Sequence, residues 1–258
     1  MKRLALALVL AGCSADTFVG ADGAVAGDAG GGGDAREDAG CTTGAACPPN
    51  ALCSAFDDAQ ETLGPFVNIS QNGGNVTFET DQVFTCPRAL AAFSPMSPST
   101  TTLPRGAIGA TKSITAVVTA HARAELDVIF PKVLTGAASF LFMYANSDVN
   151  NGLGVVYTGS WLVHDGVTND DVNIDPKTGE WNHVAFDVTF AQADNVGVIS
   201  FTYTDSGGNV QTAKLSKSTL GGGVPTVSSL NFGVGVLPFG TTSGPMTMYI
   251  DDIVFSPF

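Results

Sequence analysis

The chain has 258 residues, of which 44% are hydrophobic and 14% are charged. This apolar fraction can supply a globular core and excludes a wholly disordered chain. The length suits one all-β domain of roughly 200 residues plus additional sequence. Twenty-four acidic residues against eleven basic ones give a net charge of −13. The chain therefore lacks the cationic surface that nucleic-acid binding requires, and no nucleic-acid partner is expected.

The N-terminus has the layout of an export signal. A short positive segment precedes an apolar run at 4–10, which is too short to cross a bilayer because a span needs about 20 residues. The run ends on LAGC at 10–13, which resembles the lipobox of bacterial lipoproteins. The resemblance implies that a signal peptide, 1–12, is removed and that Cys13 becomes an acylated N-terminus. Acylation would anchor the protein to the envelope, and Ser14 favours the outer membrane. An ordinary signal peptide with a chance cysteine is the alternative.

The predicted second part of the chain, 13–40, is a tether. After Cys13 it consists almost entirely of Gly, Ala and Asp, with too few large apolar side chains to offset chain entropy. Coil scaling gives a typical end-to-end distance of about 30 Å. The glycine run at 30–33 is a spacer and not a phosphate loop, because no Lys-Ser/Thr pair follows it. The remaining residues, 41–258, are expected to form one domain.

Four cysteines fall in this domain: Cys41, Cys47, Cys53 and Cys86. Because an exported protein enters an oxidising compartment, their even number predicts two disulfides. Three pairings are open. We favour Cys41–Cys47, which closes a small loop containing proline, together with Cys53–Cys86, which links the first strand to a later loop. A zinc site is disfavoured, since the sequence has no CxxC pair and no nearby histidine.

From Leu52 onward apolar and polar residues alternate, with turn residues between the runs. Between 114 and 130 the even positions are apolar and the odd positions mostly polar, which predicts one long half-buried strand or two nearly continuous ones. Further strands are expected at 139–145, 153–164, 181–190, 196–204, 229–236 and 246–255. About ten or more strands without helices predict an all-β fold, a two-sheet antiparallel jelly-roll sandwich.

Three segments resemble strands of known jelly-roll modules. LCSAFDD at 52–58 resembles the opening of bacterial modules, and GEWNHVAFDV at 179–188 resembles a strand of laminin-G-like, concanavalin A-like domains. MYIDDIVF at 248–255 resembles the final strand of those domains and of several carbohydrate-binding modules. The resemblance covers about 51–258. It implies that the first and last strands pair and that Trp181 packs at the start of its strand.

Two aspartates in the last motif, Asp251 and Asp252, lie among apolar residues, so at least one carboxylate faces an apolar layer. A buried carboxylate needs hydrogen-bond donors or a cation. The resemblance to carbohydrate-binding modules implies a structural calcium ion shared with an acid of the first strand, here Asp57 or Asp58, and calcium prefers such oxygen ligands. The alternative is an aspartate that accepts backbone N–H bonds. Both interpretations stay open.

A second acidic motif, ELDVIF at 125–130, resembles the E-x-D-x-x-E signature of laminarinase-type glucanases. Its first two acids correspond to Glu125 and Asp127, about 7 Å apart on one face of a strand. The last acid is absent, because Ile129 or Phe130 stands there. Retaining hydrolysis needs two carboxyl groups about 5–5.5 Å apart, one of which donates a proton. We therefore predict no catalytic residue, and expect charged side chains on the polar face of a strand.

A cluster of Tyr157, Trp161, His164 and Asp165 near a strand end has two interpretations. Exposed aromatic rings stack on sugars, so the cluster is a candidate binding platform. Alternatively, the two rings and the neighbouring valines form a core face.

These observations favour a lipid-anchored, non-catalytic envelope protein whose jelly-roll domain binds a polysaccharide or a cell-envelope protein. The first alternative is a structural or interaction lipoprotein with no small ligand, and the second is a degenerate glucanase-like hydrolase. An aromatic-lined groove would favour glycan binding, and a smooth apolar face would favour the structural role. Converging carboxylates in a cleft would favour the hydrolase.

Overall fold

The structure, a computed structural model, describes residues 47–56, 62–85, 88–95, 103–117, 119–132, 136–146, 152–157, 160–164, 169–172, 174, 176–191, 197–217, 226–239 and 244–257. The predicted signal peptide and tether lie outside these residues, as do six of the singled-out side chains: Cys13, Cys41, Asp57, Asp58, Cys86 and Asp165. Among the described residues there is no helix with the length and apolar character needed to span a bilayer.

The described chain is all β, as predicted, and its strands are antiparallel throughout. The strands are β1 (Leu52–Ser54), β2 (Val67–Asn68), β3 (Asn75–Glu79), β4 (Ala89–Ser94), β5 (Gly106–Val117), β6 (Thr119–Ile129), β7 (Ala137–Ala145), β8 (Leu153–Tyr157), β9 (Trp161–His164), β10 (Asn169–Asp171), β11 (Asn182–Ala191), β12 (Gly197–Thr204), β13 (Val210–Lys217), β14 (Val227–Phe239) and β15 (Met246–Pro257).

Two sheets form the sandwich. The front sheet has eight strands in the order β13-β12-β11-β6-β15-β4-β3, with β1 also paired to β15. The back sheet has seven strands in the order β10-β9-β8-β7-β14-β5-β2. Strands that are distant in sequence are neighbours in both sheets, which is the arrangement of a jelly roll. The predicted two-sheet jelly-roll fold is confirmed.

The core lies between the sheets and is rich in aromatic rings. Trp161 has no exposed surface, and its ring centroid lies 4.3 Å from that of Phe140, 5.2 Å from that of Phe201 and 5.7 Å from that of Phe130. Rings at these separations add to the stabilisation that their buried area supplies. Trp161 comes from the back sheet and Phe201 from the front sheet, so this contact joins the two layers.

The alternation at 114–130 belongs to two strands in different sheets. β5 ends at Val117 in the back sheet and β6 begins at Thr119 in the front sheet. The even positions of β6, from Ala120 to Val128, are buried in the core as predicted. The single strand predicted at 153–164 is also two strands, β8 and β9, which pair as a hairpin with Tyr157 opposite Trp161.

The first and last strands pair as the laminin-G-like resemblance implied. Leu52 of β1 lies opposite Phe255 of β15, and Ser54 lies opposite Ile253. β15 also pairs with β6 through Tyr249–Asp251 and again from Val254, with a register shift between Asp251 and Val254. This β-bulge bends the strand beside β1.

The favoured disulfide pairing is wrong. Cys47 is bonded to Cys53, with 5.8 Å between their Cα atoms, so neither Cys41–Cys47 nor Cys53–Cys86 can form. A tight turn explains this pairing, because the Ala51 N–H donates to the Pro48 carbonyl at 3.1 Å and Asn50 has a φ of 67°. This turn folds Cys47 back onto the start of β1. The prolines after Cys47 predicted a loop, but they did not indicate which cysteine would be bonded to Cys47.

Candidate functional site

A polar stripe runs along the outer face of the front sheet, on β6 and β11. The even residues of β6 are in the core, so its odd residues, Arg123, Glu125 and Asp127, point away from the other sheet. The register places Asp127 opposite His183 and Arg123 opposite Asp187. Charged groups from two strands therefore meet at the centre of the sheet, and we call this row the polar stripe.

Arg123 occupies the middle of the polar stripe and binds two carboxylates. Its guanidinium donates to Glu125, and its Nη1 lies 3.1 Å from Oδ2 of Asp187. The hydrogen bond to Glu125 is the main cause that raises the pKa of Arg123 above its ordinary value, against the opposing effect of burial. Two carboxylates face one guanidinium here, so this part of the stripe carries a net negative charge.

His183 and Asp127 form the second pair of the stripe. Nδ1 of His183 lies 3.2 Å from Oδ1 of Asp127, and the carboxylate is buried while the imidazole side chain is 45% exposed. The hydrogen bond to Asp127 raises the pKa of His183 above 6.5, although burial lowers it. An imidazole that is oriented by a buried carboxylate and open to solvent can bind a hydroxyl group or exchange a proton with it.

A pocket of about 290 Å³ opens at this pair. Glu125, Asp127 and His183 line it, together with residues 53–55 at the end of β1 and residues 252–254 at the bulge of β15. Asp252, in the bulge, has a φ of 47°, a conformation that aspartate tolerates better than most residues. The volume lies just below the usual range of about 300–1,000 Å³ for small-molecule pockets. The pocket can therefore accept a group of about one sugar ring.

Asp251 has no exposed surface, and its carboxylate is bonded to the backbone at 84–85. Its Oδ2 accepts hydrogen bonds from the N–H of Phe84 at 3.1 Å and the N–H of Thr85 at 2.9 Å, and from the Thr85 hydroxyl at 3.3 Å. Its Oδ1 accepts from the N–H of Asp252 at 2.9 Å. Burial nevertheless raises the pKa of Asp251 to about 7.

These bonds bear on the calcium interpretation. Both oxygens of the Asp251 carboxylate accept hydrogen bonds from the protein, three on Oδ2 and one on Oδ1. Asp57 and Asp58, the implied partners, lie outside the described residues. Within the described part of the chain, no three His, Cys, Asp or Glu side chains come close enough to hold a metal ion. The described surroundings of Asp251 fit the alternative of a hydrogen-bonded structural carboxylate, and the calcium interpretation stays a prediction.

The aromatic cluster around Trp161 does not form a platform. Trp161 is 0% exposed and Tyr157 is 5% exposed, so neither ring offers a face to solvent. Both belong to the core, which is the arrangement of the alternative interpretation. His164 is also buried, and Asp165 lies outside the described residues.

The sequence identified only half of the site. It singled out Glu125 and Asp127 as a pair on one strand face, but not the two β11 residues of the site. His183 is 56 residues from its partner Asp127, and Asp187 is 64 residues from its partner Arg123. In the sequence His183 lies within the laminin-G-like motif at 179–188, with no feature that marks it as a partner of Asp127. The sequence does show alternating polar residues in both strands. Alternation within a strand does not, however, reveal how that strand is aligned with its neighbour.

The fold has known structural relatives, although no family model and no curated protein sequence matches the chain. The PL-14 alginate lyase from Aplysia kurodai is 12% identical, with a TM-score of 0.60 over 80% of this chain and 97% of that one. The endo-beta-1,4-glucuronan lyase from the fungus Trichoderma reesei is 12% identical, with a TM-score of 0.57 over 74% of this chain and 90% of that one. The lectin-like defence protein arcelin-5 from Phaseolus vulgaris is 11% identical, with a TM-score of 0.41 over 76% and 99%. The two lyase similarities support the jelly-roll fold, whereas the laminin-G-like and lipoprotein resemblances stay predictions.

Proposed function

We propose that this domain is a non-catalytic binding module for a neutral polysaccharide and that acylation of Cys13 holds it at the cell envelope. The observation that carries the proposal is the pocket on the outer face of the front sheet, where Glu125, Asp127 and His183 converge. Ligand sites combine a concave shape with a few convergent polar groups, and this pocket has both. The fold shared with two polysaccharide lyases supports a sugar polymer as the ligand.

The charge of the polar stripe favours a neutral glycan over an acidic one. Glu125 and Asp187 surround Arg123, and Asp127 faces His183. A polymer that carries carboxylates, such as alginate, would bring further negative charge close to these three acids. Arg123 and His183, the cationic groups of the stripe, are already paired with the acids. The hydroxyl groups of a neutral sugar can instead donate to these carboxylates, which accept hydrogen bonds only. Hydrogen bonds to charged acceptors are stronger than neutral ones.

Isothermal titration calorimetry with soluble neutral β-glucan and with alginate tests the proposal. We expect the wild type to bind the glucan and not the alginate. Glu125→Gln should weaken glucan binding at least tenfold, since a hydrogen bond to a charged group contributes about 1.5–3 kcal/mol. Glu79→Gln on the edge strand β3 is the matched control and should bind as the wild type does. Binding of alginate alone, or equal effects of the two substitutions, would contradict the proposal.

A catalytic alternative rests on the same pocket, because two carboxylates and an oriented imidazole converge there. Against it, Arg123 binds the Glu125 carboxylate, whereas retaining hydrolysis needs a second carboxyl group able to donate a proton. Incubation with the bound glucan should therefore release no reducing ends and no unsaturated product absorbing in the ultraviolet. Product formation that Asp127→Asn abolishes would establish the alternative.

A further inference from the structure

An exposed aromatic pair lies at one end of the polar stripe. The rings of Phe84 and Trp181 have centroids 5.8 Å apart and planes tilted by 56°. Phe84 is 50% exposed, and among the side chains whose burial the structure describes it is the one exposed aromatic ring. Trp181 is partly exposed. Other large aromatic rings of the described chain, such as Phe201 and Phe255, are packed into the core, so this pair needs an explanation.

The position of Phe84 is held by buried hydrogen bonds. Oδ2 of Asp251 accepts from the N–H groups of both Phe84 and Thr85, and also from the Thr85 hydroxyl. Burial of a carboxylate is unfavourable unless such donors compensate it. The fold therefore keeps a buried acid at this point, and the acid fixes the backbone that presents the Phe84 ring. Asp251 is a positioning residue for Phe84.

The strand register places the aromatic pair beside the pocket. Asp251, Asp127 and His183 lie side by side in β15, β6 and β11. Phe84 is anchored at the β15 end of this row, and Trp181 precedes His183 by two residues at the β11 end. Two residues of extended chain span about 7 Å, so Trp181 lies near the pocket residue His183. The pair and the pocket are thus adjacent parts of one surface.

We propose that Phe84 and Trp181 form a stacking subsite for a pyranose ring whose hydroxyl groups are equatorial, as in a β-glucan. Such a ring presents axial C–H groups on both faces, and these polarised hydrogens pack against the electron-rich face of an aromatic ring. Its equatorial hydroxyls project sideways, where Asp127 and His183 can bind those of the adjoining sugar. The subsite rests on the proposed function and names the class of glycan.

Tryptophan fluorescence tests the subsite directly with cellohexaose as the probe. The chain has two tryptophans, and Trp161 is fully buried, so quenching by acrylamide reports Trp181. We expect cellohexaose to protect Trp181 from acrylamide and an alginate oligosaccharide to give no protection. This measurement uses the unmodified protein and therefore does not depend on whether a variant folds.

Substitutions give the second arm of the test. Phe84→Ala should weaken cellohexaose binding about fivefold to tenfold, because the binding free energy of one aromatic contact corresponds to a change of that size. Phe84→Tyr, which keeps the ring, should bind as the wild type does. Val210→Ala, which shortens an exposed apolar side chain on the edge strand β13, is the matched control. Asp251→Ala should lower affinity as Phe84→Ala does, and Phe84→Ala in the Asp251→Ala background should lower it no further.

The outcomes separate the subsite from the proposed function. If the wild type binds the neutral glucan while Trp181 stays unprotected and Phe84→Ala binds normally, the stacking subsite is wrong and the proposed function stands. If the wild type binds no neutral glycan, the proposed function and the subsite both fail. Protection of Trp181 together with weaker binding by Phe84→Ala establishes the subsite.

Discussion

His183 and Asp127 pair across two neighbouring strands, with 3.2 Å between Nδ1 and Oδ1. Their backbones lie directly opposite each other in β11 and β6. The carboxylate is buried and the imidazole is open, so the pair combines a fixed orientation with access for a ligand.

The first prediction concerns the titration of this pair. Because Asp127 raises the pKa of His183 above 6.5, the pair stabilises the fold fully below about pH 6.5, and the contribution is lost as pH rises through the folded pKa. NMR titration of the imidazole protons should show this raised pKa in the wild type. Asp127→Asn should lower the pKa of His183, and His183→Gln assigns the signal. A wild-type value at or below 6.5 would contradict the pairing.

The second prediction concerns Asp251, whose contribution to stability also falls as pH rises, over a different pH range. Burial raises its pKa from 3.8 to about 7, so the folded state binds more protons than the unfolded state between these values. The stability of the wild type relative to Asp251→Asn should therefore fall as pH rises from about 4 to 7, by at most about 4 kcal/mol, and then level off. Urea denaturation of both proteins across this range measures the difference. Parallel profiles would show that Asp251 titrates normally.

The third prediction concerns calcium. Both oxygens of the Asp251 carboxylate already accept hydrogen bonds from the protein, so we expect the melting temperature to be equal in millimolar calcium and in EDTA. A bound ion at a hundredfold excess over its Kd would add about 2.7 kcal/mol, or several degrees in a domain of this size. A rise of that size, reversed by EDTA and abolished by Asp57→Ala or Asp58→Ala, would establish the calcium interpretation.

The fourth prediction concerns the remaining disulfide. Since Cys47 is bonded to Cys53, Cys41 and Cys86 are the domain cysteines left to pair. Thr85, which precedes Cys86, is bonded to Asp251, close to the site where β1 joins β15. Peptide mapping without reduction should therefore recover Cys41–Cys86 beside Cys47–Cys53. Two reactive thiols in the denatured, oxidised protein would contradict this pairing.

The fifth prediction concerns the lipid anchor. The lipobox-like LAGC at 10–13 predicts cleavage before Cys13 and acylation of its sulfur and amine. Mass spectrometry of the membrane fraction should find a diacylated or triacylated N-terminal peptide, and Cys13→Ser should release the protein from the membrane. Cleavage at another residue, or an unmodified Cys13, would exclude the lipoprotein interpretation.

The fold was largely predictable because alternation is a local property. The even residues of β6 are in the core as expected, and Leu52 lies opposite Phe255 as the motifs implied. β13 (Val210–Lys217) was missed, since an edge strand with exposed residues on both faces has no strong apolar period. β3, β4 and the first part of β5 were also not predicted. The favoured disulfide pairing was wrong because the turn that brings Cys47 to Cys53 depends on the backbone conformation of Asn50, which the sequence pattern does not show.

The sequence by itself determined that the domain is all β and which side chains share a face of a strand, since successive residues point to opposite sides. Only the tertiary structure decided which of those faces the second sheet covers. Trp161 and Phe84 are both aromatic residues near polar neighbours, yet packing buries Trp161 completely and leaves Phe84 half exposed. Likewise, the meeting of Asp127 and His183, 56 residues apart, follows from the pairing of β6 with β11. Such pairings are selected by burial of the whole core, a long-range free energy to which every strand contributes.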